Sequence, residues 1–258
     1  MKLTHVRSAT MIIEYAGKRL LIDPLLASKG AYPGFPGTPG SDKLNPLVDL
    51  PLAVESLVKV DAVIATHTHY DHWDKAANDL LPKGIRLLAQ NADDADFFRS
   101  AGFSDVTPLE KEYVWEGITF NKTPARHGSE AALADPVMGK RLGQACGVIL
   151  RHPSEKTVYF AGDTIWHPLV ASTLEQFHPN VIVLNAGWAH INGVGAIIMG
   201  CEDVLNVHRS SPHAAMVAVH MEALNHCLLT RSELRSFAVQ QGFTDKLSIP
   251  LDCEVIYL

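Results

Sequence analysis

Three histidines and one aspartate fall within six residues, in Thr66-His67-Thr68-His69-Tyr70-Asp71-His72. The segment directly follows an apolar run, 61–65, that reads as a buried strand. In extended backbone, residues i and i+2 point to one side, so His67 and His69 can grip one cation. Asp71 and His72 lie one step further, where the chain must turn, and can face a second position. Imidazole and carboxylate suit zinc, iron or manganese. A chain built around such a cluster must present it from a rigid strand end.

The surrounding pattern supplies that framework. Residues 2–7 and 10–15 read as strands, followed by the turn Ala16-Gly17-Lys18 and a strand over 19–23 stopped by Pro24. From 30 to 51 glycines and prolines alternate, which reads as a long surface loop. Residues 52–59 look helical, 61–66 form a strand, and 74–81 a short helix. A strand over 85–89 precedes a helix over 93–101, closed by Gly102. Strands then dominate at 114–115, 117–123, 145–151 and 157–161. A helix near 169–177 ends at Pro179, and strands follow at 181–184 and 216–219. Thr230-Arg231-Ser232-Glu233 has capping-box spacing for a helix running to Gly242, and 255–258 close the chain as a strand. Strands with intervening helices predict sheets covered by helices.

Composition narrows the function. With 258 residues, one α/β domain spanning 1–258 is expected. The composition, 47% hydrophobic and 19% charged, supports a sizeable core. The net charge of −6 and a pI near 6.1 argue against a broad nucleic-acid surface. No apolar run reaches the ~18 residues of a membrane span, and no signal h-region follows Met1. A soluble cytoplasmic protein is the expectation. Cys146, Cys201, Cys227 and Cys253 are scattered, as expected of reduced thiols.

The His-x-His-x-Asp-His run after a buried strand resembles the signature of the metallo-β-lactamase superfamily. The resemblance implies a four-layer αββα sandwich with a metal site where the two sheets meet. It also implies three further ligands near strand ends, and the sequence offers His127 after 117–123, Asp163 after 157–161 and His220 after the run 215–219. By that resemblance His67, His69 and His127 hold a first metal, Asp71, His72 and His220 a second, and Asp163 bridges them. His208, His213 and His226 compete with His220, which is chosen because it terminates an apolar strand. His226, four residues after Glu222, is given a structural or supporting role. Leu20-Leu21-Ile22-Asp23-Pro24 resembles an element near the start of many members, in which Asp23 supports a ligand histidine from behind. Context and size bring the chain nearest to the branch that includes ascorbate-6-phosphate lactonase.

The resemblance implies two divalent ions, zinc first with manganese or iron as alternatives, and a metal-bridged hydroxide that cleaves a small ester, lactone or phosphoester. Asp71 would orient the nucleophile and accept its proton. No Gly-x-Ser-x-Gly is present, and Cys146 has no neighbouring base. Asn185 and His190, just past strand 181–184, and Arg126, before His127, are candidates for binding substrate. Trp188 reads first as a packed turn residue, and Tyr32 and Phe35 as either loop packing or the mouth of the site. A small-molecule substrate and a homo-oligomer are expected, with no nucleic acid or membrane partner. The alternatives are a nuclease or phosphodiesterase, a di-metal redox protein, and a metal-holding protein without catalysis. His69 argues against the redox form, which usually has glutamate there.

Overall fold

The computed structural model describes all 258 residues. Strand Val181–Asn185 shows why the chain layers as it does. Val181 and Val183 face a core shared with the other sheet, whereas Ile182 and Leu184 face helices. A strand buried on both faces must be apolar throughout, which explains the unbroken Val-Ile-Val-Leu run.

Two sheets of seven strands each result. The first runs, in spatial order, Val255–Tyr257, Lys2–Arg7, Thr10–Tyr15, Lys18–Ile22, Ala62–Ala65, Arg86–Ala89 and Asp105–Pro108. The second runs Leu247–Ser248, Ala215–Val219, Val181–Asn185, Val158–Phe160, Cys146–Arg151, Ile118–Pro124 and Glu112–Trp115. Leu20, Ile22 and Ile64 of the first sheet meet Phe120, Val148 and Val219 of the second in the central core. The outer face of the first sheet packs Val63 and Leu87 against Trp73, Ala77 and Phe98 from the helical side. The outer face of the second packs Ile182 and Met216 against Val170, Val204 and Leu234 of three helices. The architecture is the expected αββα sandwich.

Within each sheet the central strands run parallel: Lys18–Ile22 pairs with Ala62–Ala65, and Val181–Asn185 pairs with Val158–Phe160 on one side and Ala215–Val219 on the other. Parallel strands put their carboxyl ends on one edge, the usual place for a site. His67, Asp163, Asn185 and His220 all follow or end these strands.

Several elements differ from expectation. The helix expected over 52–59 is one turn, Val54–Leu57, because the Arg19 guanidinium takes the carbonyls of Ser56 and Lys59 and turns the chain back to the sheet. Helices Glu130–Ala134, Pro136–Leu142 and Cys201–Ser210 and strand Asp105–Pro108 were not foreseen. Pro136 occupies the first turn after the Asp135 cap, where its missing N–H costs nothing. The capping box at Thr230 and Glu233 forms, and Gly242 closes that helix at φ 76°. No helix is long and apolar enough to cross a membrane.

Candidate metal centre

The His-rich segment begins where strand Ala62–Ala65 stops. Asp23 receives it: its carboxylate accepts from Thr66 N at 2.8 Å and from Thr66 Oγ1 at 2.7 Å. The same carboxylate takes His72 Nδ1 at 2.8 Å, which leaves His72 Nε2 to face the centre. The turn follows from backbone bonds. His72 N and Trp73 N both donate to His69 O, at 2.9 and 2.8 Å. This throws Asp71 and His72 inward, while buried Trp73 packs on Phe98 and Phe103 and anchors the turn.

The distant residues arrive on the second sheet. Gly162 sets up Asp163: a Cβ there would stand 2.2 Å from Cys146 O, so only glycine lets the loop pass this close. His220 sits at φ 63°, with its N–H donating to Ser8 O at 2.9 Å. Such a conformation is costly for a non-glycine residue and is found where the surroundings enforce it. His127 Nδ1 bonds Ile197 O at 3.0 Å.

Seven side chains converge. His67, His69 and His127 form one group whose donor atoms lie within 4.8 Å of one another; Asp71, His72 and His220 form another. Asp163 lies between them, with Oδ2 3.2 Å from His72 Nε2 and 3.8 Å from His67 Nε2, and Oδ1 3.9 Å from His220 Nε2. Asp71 Oδ2 is 3.4 Å from His220 Nε2. The imidazoles crowd: His67 Nε2 faces His69 Nδ1 at 3.2 Å, and His72 Nε2 faces His220 Nε2 at 3.1 Å. Imidazole nitrogens this close together beside two buried carboxylates are a donor set that fits a divalent cation.

The electrostatics follow from burial and from these neighbours. Burial, reinforced by His72 and His69, pushes His67 well below its usual range, and burial lowers His127 to about 4. Burial opposes charge on His72, yet Asp163, Asp23 and Asp71 outweigh it and lift the ring to about 10. Burial would raise Asp71 and Asp163, but the surrounding histidines, His72 foremost, hold both carboxyls low.

Above the cluster is a cavity of about 100 Å³ with His69, Asp71, His127 and Asp163 in its lining. Its walls are Phe35, Thr38, Leu142, Ile191, Ile197 and His226, with Arg141 also in the lining. The glycine- and proline-rich loop supplies Phe35 and Thr38 and is pinned in place. Asn225 Oδ1 accepts from Phe35 N and Asn45 Nδ2, at 3.1 and 2.8 Å, and Asn225 Nδ2 donates to Thr38 Oγ1 and Pro39 O, at 2.8 and 2.7 Å. Phe35 stacks on Tyr70 at 4.2 Å.

The substrate candidates need correction. Asn185 is buried and donates through Nδ2 to Asp163 Oδ1 at 2.7 Å, so its amide orients a carboxylate and is not free for a ligand. Arg126 is outside that cavity and lines a neighbouring groove with Lys122, Gln144 and His127. His190 is outside the cavity lining, and its ring lies 4.3 Å from that of Trp188, which is itself 42% exposed at φ 52°. Tyr32 bonds Asp74 instead of entering the cavity. His226, given a place behind the site, lines the cavity itself. Thr38, Leu142, Ile191 and Ile197 were missed because nothing local marks them: each reaches the site through tertiary packing.

Comparison with known proteins assigns the chain to a family. A family model described as a beta-lactamase superfamily domain matches residues 18–221. The chain is 42% identical over 255 residues to the UPF0173 protein YddR of Bacillus subtilis, covering 98% of each. Its structure is similar to that of an isothiocyanate hydrolase from Delia radicum gut bacteria, with TM-score 0.98, 47% identity and coverage of 100% and 99% of the two chains. It is equally similar, at TM-score 0.98 and 40% identity with the same coverage, to a possible metal-dependent hydrolase from Veillonella parvula. The Igni18 metallo hydrolase of Ignicoccus hospitalis, at 21% identity and TM-score 0.72, shares the fold over 99% of this chain and 97% of its own. The chain therefore belongs to the beta-lactamase superfamily, among its metal-dependent hydrolases.

Proposed function

We propose that this chain hydrolyses a small, largely apolar electrophile, and that isothiocyanates are the substrate class that suits it best. A hydrolytic His/Asp cluster at the floor of a small cavity with Phe35, Leu142, Ile191 and Ile197 in its walls is the observation that carries this reading. Identity of 47% to an isothiocyanate hydrolase along the whole chain supports it. A phosphoester suits the cavity less well, because Arg141 is the one lysine or arginine in the lining and its guanidinium is tied to Pro36 O. The small cavity and the acidic net charge also favour a small molecule over nucleic acid.

In this reading His67, His69 and His127 would hold one divalent ion and Asp71, His72 and His220 a second, with the Asp163 carboxylate available to both. Zinc suits the donor set, as do manganese and iron. Bound ions supply a water acidified toward neutrality and a positive field for charge that develops on substrate. The protein does the rest. The apolar walls seat the R group and limit bulk water. Asp71 accepts, at a carboxylate oxygen, the proton released by the attacking water. The water oxygen bonds to the central carbon of R–N=C=S and that proton passes to the substrate nitrogen. The adduct, R–NH–C(=S)–OH, passes its remaining hydroxyl proton to the nitrogen as the C–N bond breaks, giving R–NH2 and COS. One water is consumed and no redox partner is needed.

Protein purified without chelator is analysed for metal and then assayed against isothiocyanates, lactones, aryl esters and phosphodiesters. Release of amine and COS from isothiocyanates at a kcat/KM above all other classes is expected. Turnover of lactones or esters without turnover of isothiocyanates would overturn the substrate assignment.

A further inference from the structure

His226 is placed as the metal cluster does not require. It is 4% exposed, lines the cavity, and leans on Phe35 at 4.4 Å with the rings tilted by 58°. Its Nδ1 is buried and meets no hydrogen-bond partner in the protein. Buried polar atoms are normally paired, so an orphaned one on a residue that lines a cavity calls for a partner.

The backbone that carries the ring is also held from both sides. His190 N donates to His226 O at 3.1 Å, and Cys227 forms a bridge with Ala189. On the other side Asn225 grips the loop that carries Phe35 and Thr38. A donor fixed in this way costs no reorganisation when charge develops near it. Burial keeps the ring neutral despite Asp71 and Asp163 nearby, with His220 and His127 opposing any further proton. A neutral imidazole offers one N–H and one acceptor nitrogen.

We propose that His226 contacts substrate directly, hydrogen-bonding the heteroatom that gains electron density when the electrophilic carbon is attacked. For an isothiocyanate that atom is the nitrogen or the sulfur. The ring keeps its proton throughout. This rests on the reading of the cavity as the substrate site, and it makes His226 a catalytic residue where a mere wall residue would serve as well as phenylalanine.

His226→Phe keeps a planar ring against Phe35 and removes both nitrogens, whereas His226→Gln keeps a donor and an acceptor. On an aryl isothiocyanate, His226→Phe is expected to lower kcat about 100-fold, the loss typical of one preorganised donor, with KM within about threefold. His226→Gln should regain at least about tenfold of it. A second readout needs no turnover. Thiocyanate, which has the same N–C–S frame, is titrated into the cobalt-loaded proteins and followed by visible absorption. His226→Phe should weaken its binding about tenfold at equal cobalt content. A kcat within about threefold of wild type together with unchanged thiocyanate binding would overturn the proposal, as would loss of metal in His226→Phe. If the wild type prefers an ester or lactone, the substrate reading fails alone, and the same hundredfold loss is expected on that substrate. If no substrate in the panel turns over, the thiocyanate comparison decides.

Discussion

Asp23→Asn isolates the support behind the second metal group. The native carboxylate accepts three hydrogen bonds, from Thr66 N, Thr66 Oγ1 and His72 Nδ1, at 2.8, 2.7 and 2.8 Å. Asparagine can still accept from Thr66 N, but its amide group then faces His72 Nδ1. Either two donors oppose each other in a buried place, or His72 changes tautomer and carries its proton on Nε2. A protonated Nε2 has no lone pair for a metal. Removing the partner of a metal-ligating histidine typically costs 10–100-fold in affinity, which is about 1.4–2.7 kcal/mol. That loss should fall on the ion held by Asp71, His72 and His220, while the ion at His67, His69 and His127 keeps its affinity. Chelator-competition titrations resolve the two affinities, and far-UV circular dichroism of the metal-free protein checks the fold. Two ions bound at wild-type affinity would refute the tautomer argument. Equal weakening of both ions in a folded variant would refute the assignment of Asp23 to one group.

Asp163→Asn should deplete one metal and lower kcat by at least about a thousandfold while circular dichroism stays native; full metal occupancy and full activity would dismiss a bridging role. Asn185→Ala frees Asp163 Oδ1 from its 2.7 Å bond and should lower kcat about tenfold without changing KM, measured by steady-state kinetics. Asn225→Ala removes four loop-anchoring bonds and should cost about 2 kcal/mol in denaturant unfolding and raise KM, with metal content unchanged. The acid stability of the metal-free protein should depend on His226, which burial lowers to about 4. The unfolded chain binds this proton as pH falls through about 6.5 and the folded one does not until about 4, so stability is full above that window and falls through it. His226→Phe should remove roughly 3 kcal/mol of the difference between pH 7 and 4 in urea titrations, and parallel curves would refute it.

The site was unevenly legible. His67, His69, Asp71 and His72 could be read as a group because a strand end and one turn relate them, and local backbone geometry decides that alone. Asp23 was associated with them through the resemblance of its Ile-Asp-Pro element to other members, and the parallel pairing of Lys18–Ile22 with Ala62–Ala65 is what brings it to Thr66 and His72. Asn185 shows where local reading stops. It is a polar residue at a strand end, and only the parallel register that pairs Phe160 with Val183 and Asn185 with Val219 brings its amide to Asp163. The placement of His226 is likewise a product of packing: its spacing from Glu222 suggests a helix, but the segment is irregular and is held between Asn225's loop contacts and His190.

By itself, then, the sequence determined what short-range geometry controls: the metal-binding segment, the unbroken apolar strand over 181–184, and the capped helix at Thr230. The tertiary structure decided that His226 lines the cavity, that the Asn185 amide is consumed in holding Asp163, and that Asn225 pins the loop carrying Phe35 and Thr38. Contacts between residues such as Asn45 and Asn225, 180 positions apart, depend on how two sheets stack and register. No local pattern encodes that distance, because it is the sum of every packing choice between them.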